Sequence, residues 1–172
     1  MSLVPTPGQT VGPFFGYALP YDGDSELVPP TRPDAIRLHG RVYDGAGDPV
    51  PDALIELWQA APDGAVPRAP GSLHRDGYTF TGWGRAATDR TGHYQFSTLR
   101  PGGGVAPFAQ PFFAITVFAR GLLDRLFTRA YLPGTAPAQW PSLAARADDR
   151  GFVFDIRLQG EGETVFLAYT AP

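Results

Sequence analysis

The sequence contains no cysteine, which excludes disulfides, thiolate metal sites and cysteine nucleophiles. It contains no lysine either: all 14 basic residues are arginine, and they form no long run. With a net charge of -3, the chain lacks the basic footprint that non-specific nucleic-acid binding needs. No apolar stretch approaches the length of a membrane span. The opening Met1-Ser2-Leu3-Val4-Pro5-Thr6-Pro7 has no basic region followed by an apolar one, so there is no secretory signal and a cytoplasmic location is the expectation. Histidine is scarce: His39, His74 and His93 stand in neither His-x-His nor His-x-x-x-His spacing. Isolated histidines are seldom ligands; His39 and His93 read as strand ends and His74 as part of a polar loop. There is no Gly-x-Ser-x-Gly elbow and no Ser beside a His and an Asp. Gly102-Gly103-Gly104 lacks the Lys-Ser/Thr of a phosphate loop and reads as a flexible turn. Glu161 and Glu163 read as a solvated loop rather than paired acids. On its residues alone, the chain does not read as a self-sufficient enzyme.

What is abundant is apolar and turn material. Of 172 residues, 43% are hydrophobic, enough for one domain with a sizeable core. The 21 glycines and 19 prolines point to many turns rather than a helix bundle. Residues 1–35 read as an extended N-terminal arm. Its aromatics Phe14, Phe15, Tyr17 and Tyr21 suit a segment laid across another surface, because disordered segments are poor in aromatics. Residues 36–172 read as the folded domain. Ile36–Tyr43 alternates apolar and polar as a half-buried strand does, and Ala53–Trp58 is a more continuously apolar run, fit for a strand buried on both faces. Gly84–Thr88 and His93–Leu99 flank Asp89-Arg90-Thr91-Gly92 as a hairpin. Further strands are read at Phe112–Phe118, Leu126–Leu132, Phe152–Leu158 and Thr164–Ala168, with a short helix at Ser142–Asp149. The spacing predicts an all-β sandwich of mixed topology with long loops and at most one or two short helices.

Three blocks carry a resemblance. Gly40-Arg41-Val42-Tyr43-Asp44 leads into Pro49-Val50-Pro51-Asp52-Ala53-Leu54-Ile55-Glu56-Leu57-Trp58-Gln59-Ala60. Gly84-Arg85-Ala86-Ala87-Thr88-Asp89 leads into Arg100-Pro101-Gly102. The third joins Val117-Phe118-Ala119-Arg120-Gly121-Leu122-Leu123 to Thr128-Arg129-Ala130-Tyr131. In this order they resemble the intradiol ring-cleavage dioxygenases. The opening Thr6–Phe14 and the tail Asp155–Phe166 resemble the α-type subunit of the family's heteromeric members.

That resemblance implies the following. The fold is a β-sandwich. Catalytic members bind Fe(III) through two tyrosines and two histidines, ligands that suit ferric iron, and use O2 to cleave a catechol between its hydroxyls. For α-type members the substrate is protocatechuate (3,4-dihydroxybenzoate) and the product 3-carboxy-cis,cis-muconate. At the family's ligand positions this sequence has Val66, then Gly104 or Val105, then Phe112-Phe113-Ala114. The resemblance therefore implies no metal ligand and no catalytic residue in this chain, with the iron held by a homologous β subunit in a hetero-oligomer of αβ units. It further implies that Thr10, Gly12, Pro13 and Arg120 help to bind substrate in the partner's site. Arg120 would supply the cation that a partly buried carboxylate requires. Phe14 departs from the Tyr of many members. Two other readings compete: a homomeric catechol-type enzyme with ligands relocated to Tyr78, Tyr94, His74 and His93, and a non-catalytic β-sandwich binding module.

Overall fold

The computed structural model describes residues 6–69, 75–104 and 109–168. Two sheets face one another. The first is built around β1 (Ile36–Tyr43), which pairs antiparallel with β4 (His93–Thr98). On its other side β1 pairs parallel with β8 (Gly151–Val153) and then β9 (Ile156–Arg157), and β8 pairs antiparallel with β7 (Arg146–Ala147). The second sheet is wholly antiparallel, in the order β3 (Trp83–Ala87), β2 (Leu54–Gln59), β5 (Phe112–Phe118), β6 (Leu126–Tyr131). This is the all-β sandwich of mixed topology that the strand spacing predicts.

The two-residue period of a strand decides which side chains face inward. Leu38 and Val42 from β1, Tyr94 and Phe96 from β4, and Phe113, Ile115 and Val117 from β5 are all buried in one core. Gln59 is the buried polar exception. Its amide donates to Leu99 O at 2.8 Å and accepts from the Thr98 hydroxyl at 2.6 Å, linking the second sheet to the end of β4. The later part of the N-terminal segment is fastened to this body. Leu27 and Val28 are buried, Leu27 N–H donates to Ser97 O, and Ser97 N–H donates to Ser25 O.

Four local expectations change. The segments around Asp89–Gly92 do not form a hairpin, because β3 lies in one sheet and β4 in the other. The turn itself is tight: the Asp89 carboxylate accepts from the N–H groups of Thr91 and His93. Thr88, however, is bonded to Val50 and Ala53, which keeps β3 on β2. The helix expected at 142–149 is a single 3-10 turn, Pro141–Leu143, since the sheet claims Arg146 and Ala147. The strand expected at 152–158 is broken at Phe154-Asp155, where the Asp155 carboxylate takes Arg41 N–H at 2.9 Å in place of a ladder carbonyl. Residues 164–168 form no strand and lie beside β6, held by Leu167 N–H on Phe127 O and the Thr128 hydroxyl on Val165 O.

Candidate functional site

The end of the second sheet where β5 begins opens into a cleft of about 340 Å³. Trp58 and Ala60 from the end of β2, Phe112 and Ala114 from β5, and Arg129 from β6 line it, together with Gly64, Val66 and Gly104 from two loops. The loops are locked together: Ala61 O accepts the N–H groups of both Gly64 and Gly102. Gly64 has φ +82°, and a Cβ there would stand 2.1 Å from Gly103 O. The glycine run is thus a close backbone contact, not the flexible turn expected of it. Arg129 lies over the Phe112 ring at 4.5 Å and donates to the Tyr131 hydroxyl at 3.2 Å.

The positions where the resemblance puts iron ligands come together here. Val66, Gly104, Phe112 and Ala114 all line this one cleft; Val105 lies outside the described residues. Ferric iron needs hard oxygen and nitrogen donors. These four side chains offer only carbon and hydrogen, and the nearby Arg129 guanidinium repels a cation. The residues described at these positions therefore do not fit the iron. Among the described residues no group of three His, Asp or Glu is placed to hold a metal.

Among the described residues, the alternative ligands do not converge either. Tyr78 is 90% exposed. Tyr94 is buried and donates to Phe154 O at 2.6 Å, and burial holds its phenol protonated far above the ordinary range. His93 is its neighbour on β4 and so faces the other side of the sheet. There it lies 5.7 Å from the His39 ring, with burial first and His39 second lowering its pKa. His39, expected at a strand end, is in mid-strand and meets Asp148 at 2.8 Å. His74 lies outside the described residues. Glu161 and Glu163 are exposed in a loop.

At the other end of β5 the N-terminal segment meets the strand exit. The Thr10 hydroxyl accepts Gly121 N–H at 2.7 Å, directly after Arg120. Arg120 pairs with Asp52 at 2.8 Å, both about half exposed. Asp52 itself has φ +59°, an uncommon conformation for a residue with a side chain. Gly12 and Pro13 follow Thr10 on the surface, and a Cβ at Gly12 would meet nothing within 4 Å. Beyond them Phe14 and Tyr17 form an exposed edge-to-face pair at 5.6 Å. The structure thus gathers Thr10 and Arg120 at one corner, with Gly12 and Pro13 on the open surface beside it. Sequence reasoning missed Asp52 as the partner of Arg120 and Arg129 as the cation of the cleft. The one available signal for Arg129 was a charge within an otherwise largely apolar strand.

The Dioxygenase family model matches residues 11–134. The protocatechuate 3,4-dioxygenase alpha chain of Burkholderia cepacia is 33% identical over 96% of this chain and 98% of its own length. The chain belongs to the intradiol ring-cleavage dioxygenase family. Within that family the length of the match separates the two types of chain. The beta chain from the same organism is 36% identical, but over only 59% of this chain and 46% of its own. In structure, the dioxygenase domain of a carbohydrate-binding fusion from Streptomyces sp. SirexAA-E is similar at TM-score 0.60 and 26% identity. That similarity covers 91% of this chain and 99% of that one. For an intradiol family member, the carbon-lined cleft is the informative departure.

Proposed function

We propose that this chain is the iron-free α-type subunit of a protocatechuate 3,4-dioxygenase, acting with a homologous β subunit that holds Fe(III). The observation that carries this reading is the cleft: all the family ligand positions that are described line it, and none offers a donor atom. Ring cleavage by O2, giving 3-carboxy-cis,cis-muconate, then belongs to the partner's site in a cytoplasmic hetero-oligomer.

This chain's part is to complete that site. The Thr10-to-Gly121 bond pins the arm beside Arg120. The exposed Gly12 and Pro13 present backbone that a ring can approach closely. Arg120 supplies a guanidinium suited to a substrate carboxylate. It can exchange Asp52 for that carboxylate at little cost, because half-exposed ion pairs contribute little. Two related chains meeting about a pseudo-two-fold axis would set the corner of one against the pocket of the other.

The test is to purify the chain alone and with its partner, then measure iron and visible absorption. The expected result is a colourless, iron-free single chain and a coloured, active complex. One iron per chain with a tyrosinate-to-iron band in the isolated protein would refute the reading.

A further inference from the structure

We propose that the outer face of the first sheet carries a binding site for a small oxyanion, phosphate or a free carboxylate, held by Arg37, Ser97 and Arg150. This site is independent of the iron-free cleft and of the Arg120 corner. Leu38 on β1 and Phe96 and Thr98 on β4 point inward, so Arg37 and Ser97 point outward, and the two are direct register partners across the strands. Arg37 Nε and Ser97 Oγ are both buried, and neither has a hydrogen-bond partner among the described residues. Buried polar groups are nearly always paired in folded proteins, and an unpaired one calls for an explanation such as a bound ion or water. Here two such groups stand on facing residues of one cleft of about 450 Å³.

The rest of the cleft favours an anion over water alone. Arg150 lines it, placed there because Arg37 N–H donates to Arg150 O at 3.0 Å. Among the described residues, the Arg150 guanidinium forms one ion pair, a long 4.0 Å contact with exposed Asp149. Glu26 is the one acid in the lining; it is exposed and makes no ion pair among the described residues. Two guanidinium groups and a hydroxyl therefore stand against one carboxylate, that of Glu26, whose backbone bridges to Ser97. A guanidinium fork beside a hydroxyl donor matches the geometry of an oxyanion. The site is also held in place. Ser97 N–H is bonded to Ser25 O, and Ser97 O accepts from Leu27 and Val28, so its hydroxyl is presented from a fixed backbone.

The experiment is a titration of the full-length chain with inorganic phosphate and, separately, acetate, against sodium chloride at equal ionic strength. Arginine Nε–H signals in proton–nitrogen spectra are followed. The Arg37 signal is expected to shift and saturate with phosphate, acetate or both, and not with chloride. The two anions separate a phosphate site from a carboxylate site. Arg37→Gln should weaken binding about tenfold or more, as expected for loss of a charge-assisted bond. Ser97→Ala should weaken it by a smaller factor and carries the test if the arginine variant does not fold. No response to either anion would overturn the proposal, leaving the cleft to water. Unchanged affinity in the variants would overturn it too, since the anion would then bind elsewhere.

Discussion

The two ends of β5 combine shape and polar chemistry in opposite ways. At one end, Phe112 and Ala114 line a cleft whose shape is held by backbone: paired loops, a left-handed Gly64 and a close Gly103 contact. At the other, roughly 20 Å along the strand, the Thr10 and Arg120 corner has no enclosed shape but keeps directed polar groups. Shape and chemistry separate in the cleft because packing depends on backbone and volume, whereas ligation depends on individual donor atoms. The corner needs no enclosure of its own if a partner supplies the walls. The comparison predicts that perturbing the cleft end affects stability, and perturbing the corner affects substrate preference in the assembled enzyme.

The largest expected effect is at the cleft end. Gln59→Leu removes the partners of Leu99 O and the Thr98 hydroxyl inside the core. Leaving two buried groups unpaired should cost about 3 kcal/mol. For a chain of this size that lowers Tm by roughly 6–12 °C, measured by thermal unfolding. The preference of the active complex for protocatechuate over catechol should stay unchanged; a shift in preference would break the division between the two ends. Arg120→Ala should do the reverse. The loss of kcat/KM for protocatechuate relative to catechol should be about tenfold, or ~1.4 kcal/mol. Its exposed pair with Asp52 is worth under about 1 kcal/mol, so Tm should hardly move. An unchanged preference would remove Arg120 from the substrate's surroundings.

The strands were legible where one face is buried. Ile36–Tyr43, read from its alternation, and Phe112–Phe118, read as a strong strand, both have their observed boundaries. Pairing was less legible. Asp89–Gly92 has the composition of a hairpin turn, but Thr88 is tied to Val50 and Ala53, and no local pattern records that tie. The break in the last strand was invisible for a similar reason, since Asp155 replaces a ladder carbonyl for a residue more than a hundred positions away. The cleft was legible only through the resemblance: neighbouring motifs anchor the positions it assigns to ligands, and the structure brings Val66, Gly104, Phe112 and Ala114 together. Arg129 was not legible as part of it, because its approach to Phe112 depends on the register of β5 with β6.

The smallest effect provides the control that the comparison needs, a loss of stability placed at neither end. Tyr94→Phe removes the hydroxyl bonded to Phe154 O in the core, which should cost about 1 kcal/mol near neutral pH. Its pH dependence is distinctive. Burial raises the Tyr94 pKa well above 10.0, the ordinary value, so the folded chain keeps the proton while the unfolded chain releases it. The stabilisation is complete below about pH 10 and is lost as pH rises beyond it, by up to ~1.4 kcal/mol per pH unit. With no lysine in the sequence, this window is left mainly to tyrosines; Tyr21, shifted upward mostly by its own burial, adds in the same direction. Urea unfolding from pH 8 to 11 should therefore show a shallower alkaline decline in Tyr94→Phe than in the parent. Substrate preference in the complex should match the parent. If this variant also altered the preference for protocatechuate, stability loss alone could mimic the Arg120 effect, and the corner would lose its claim to a separate role.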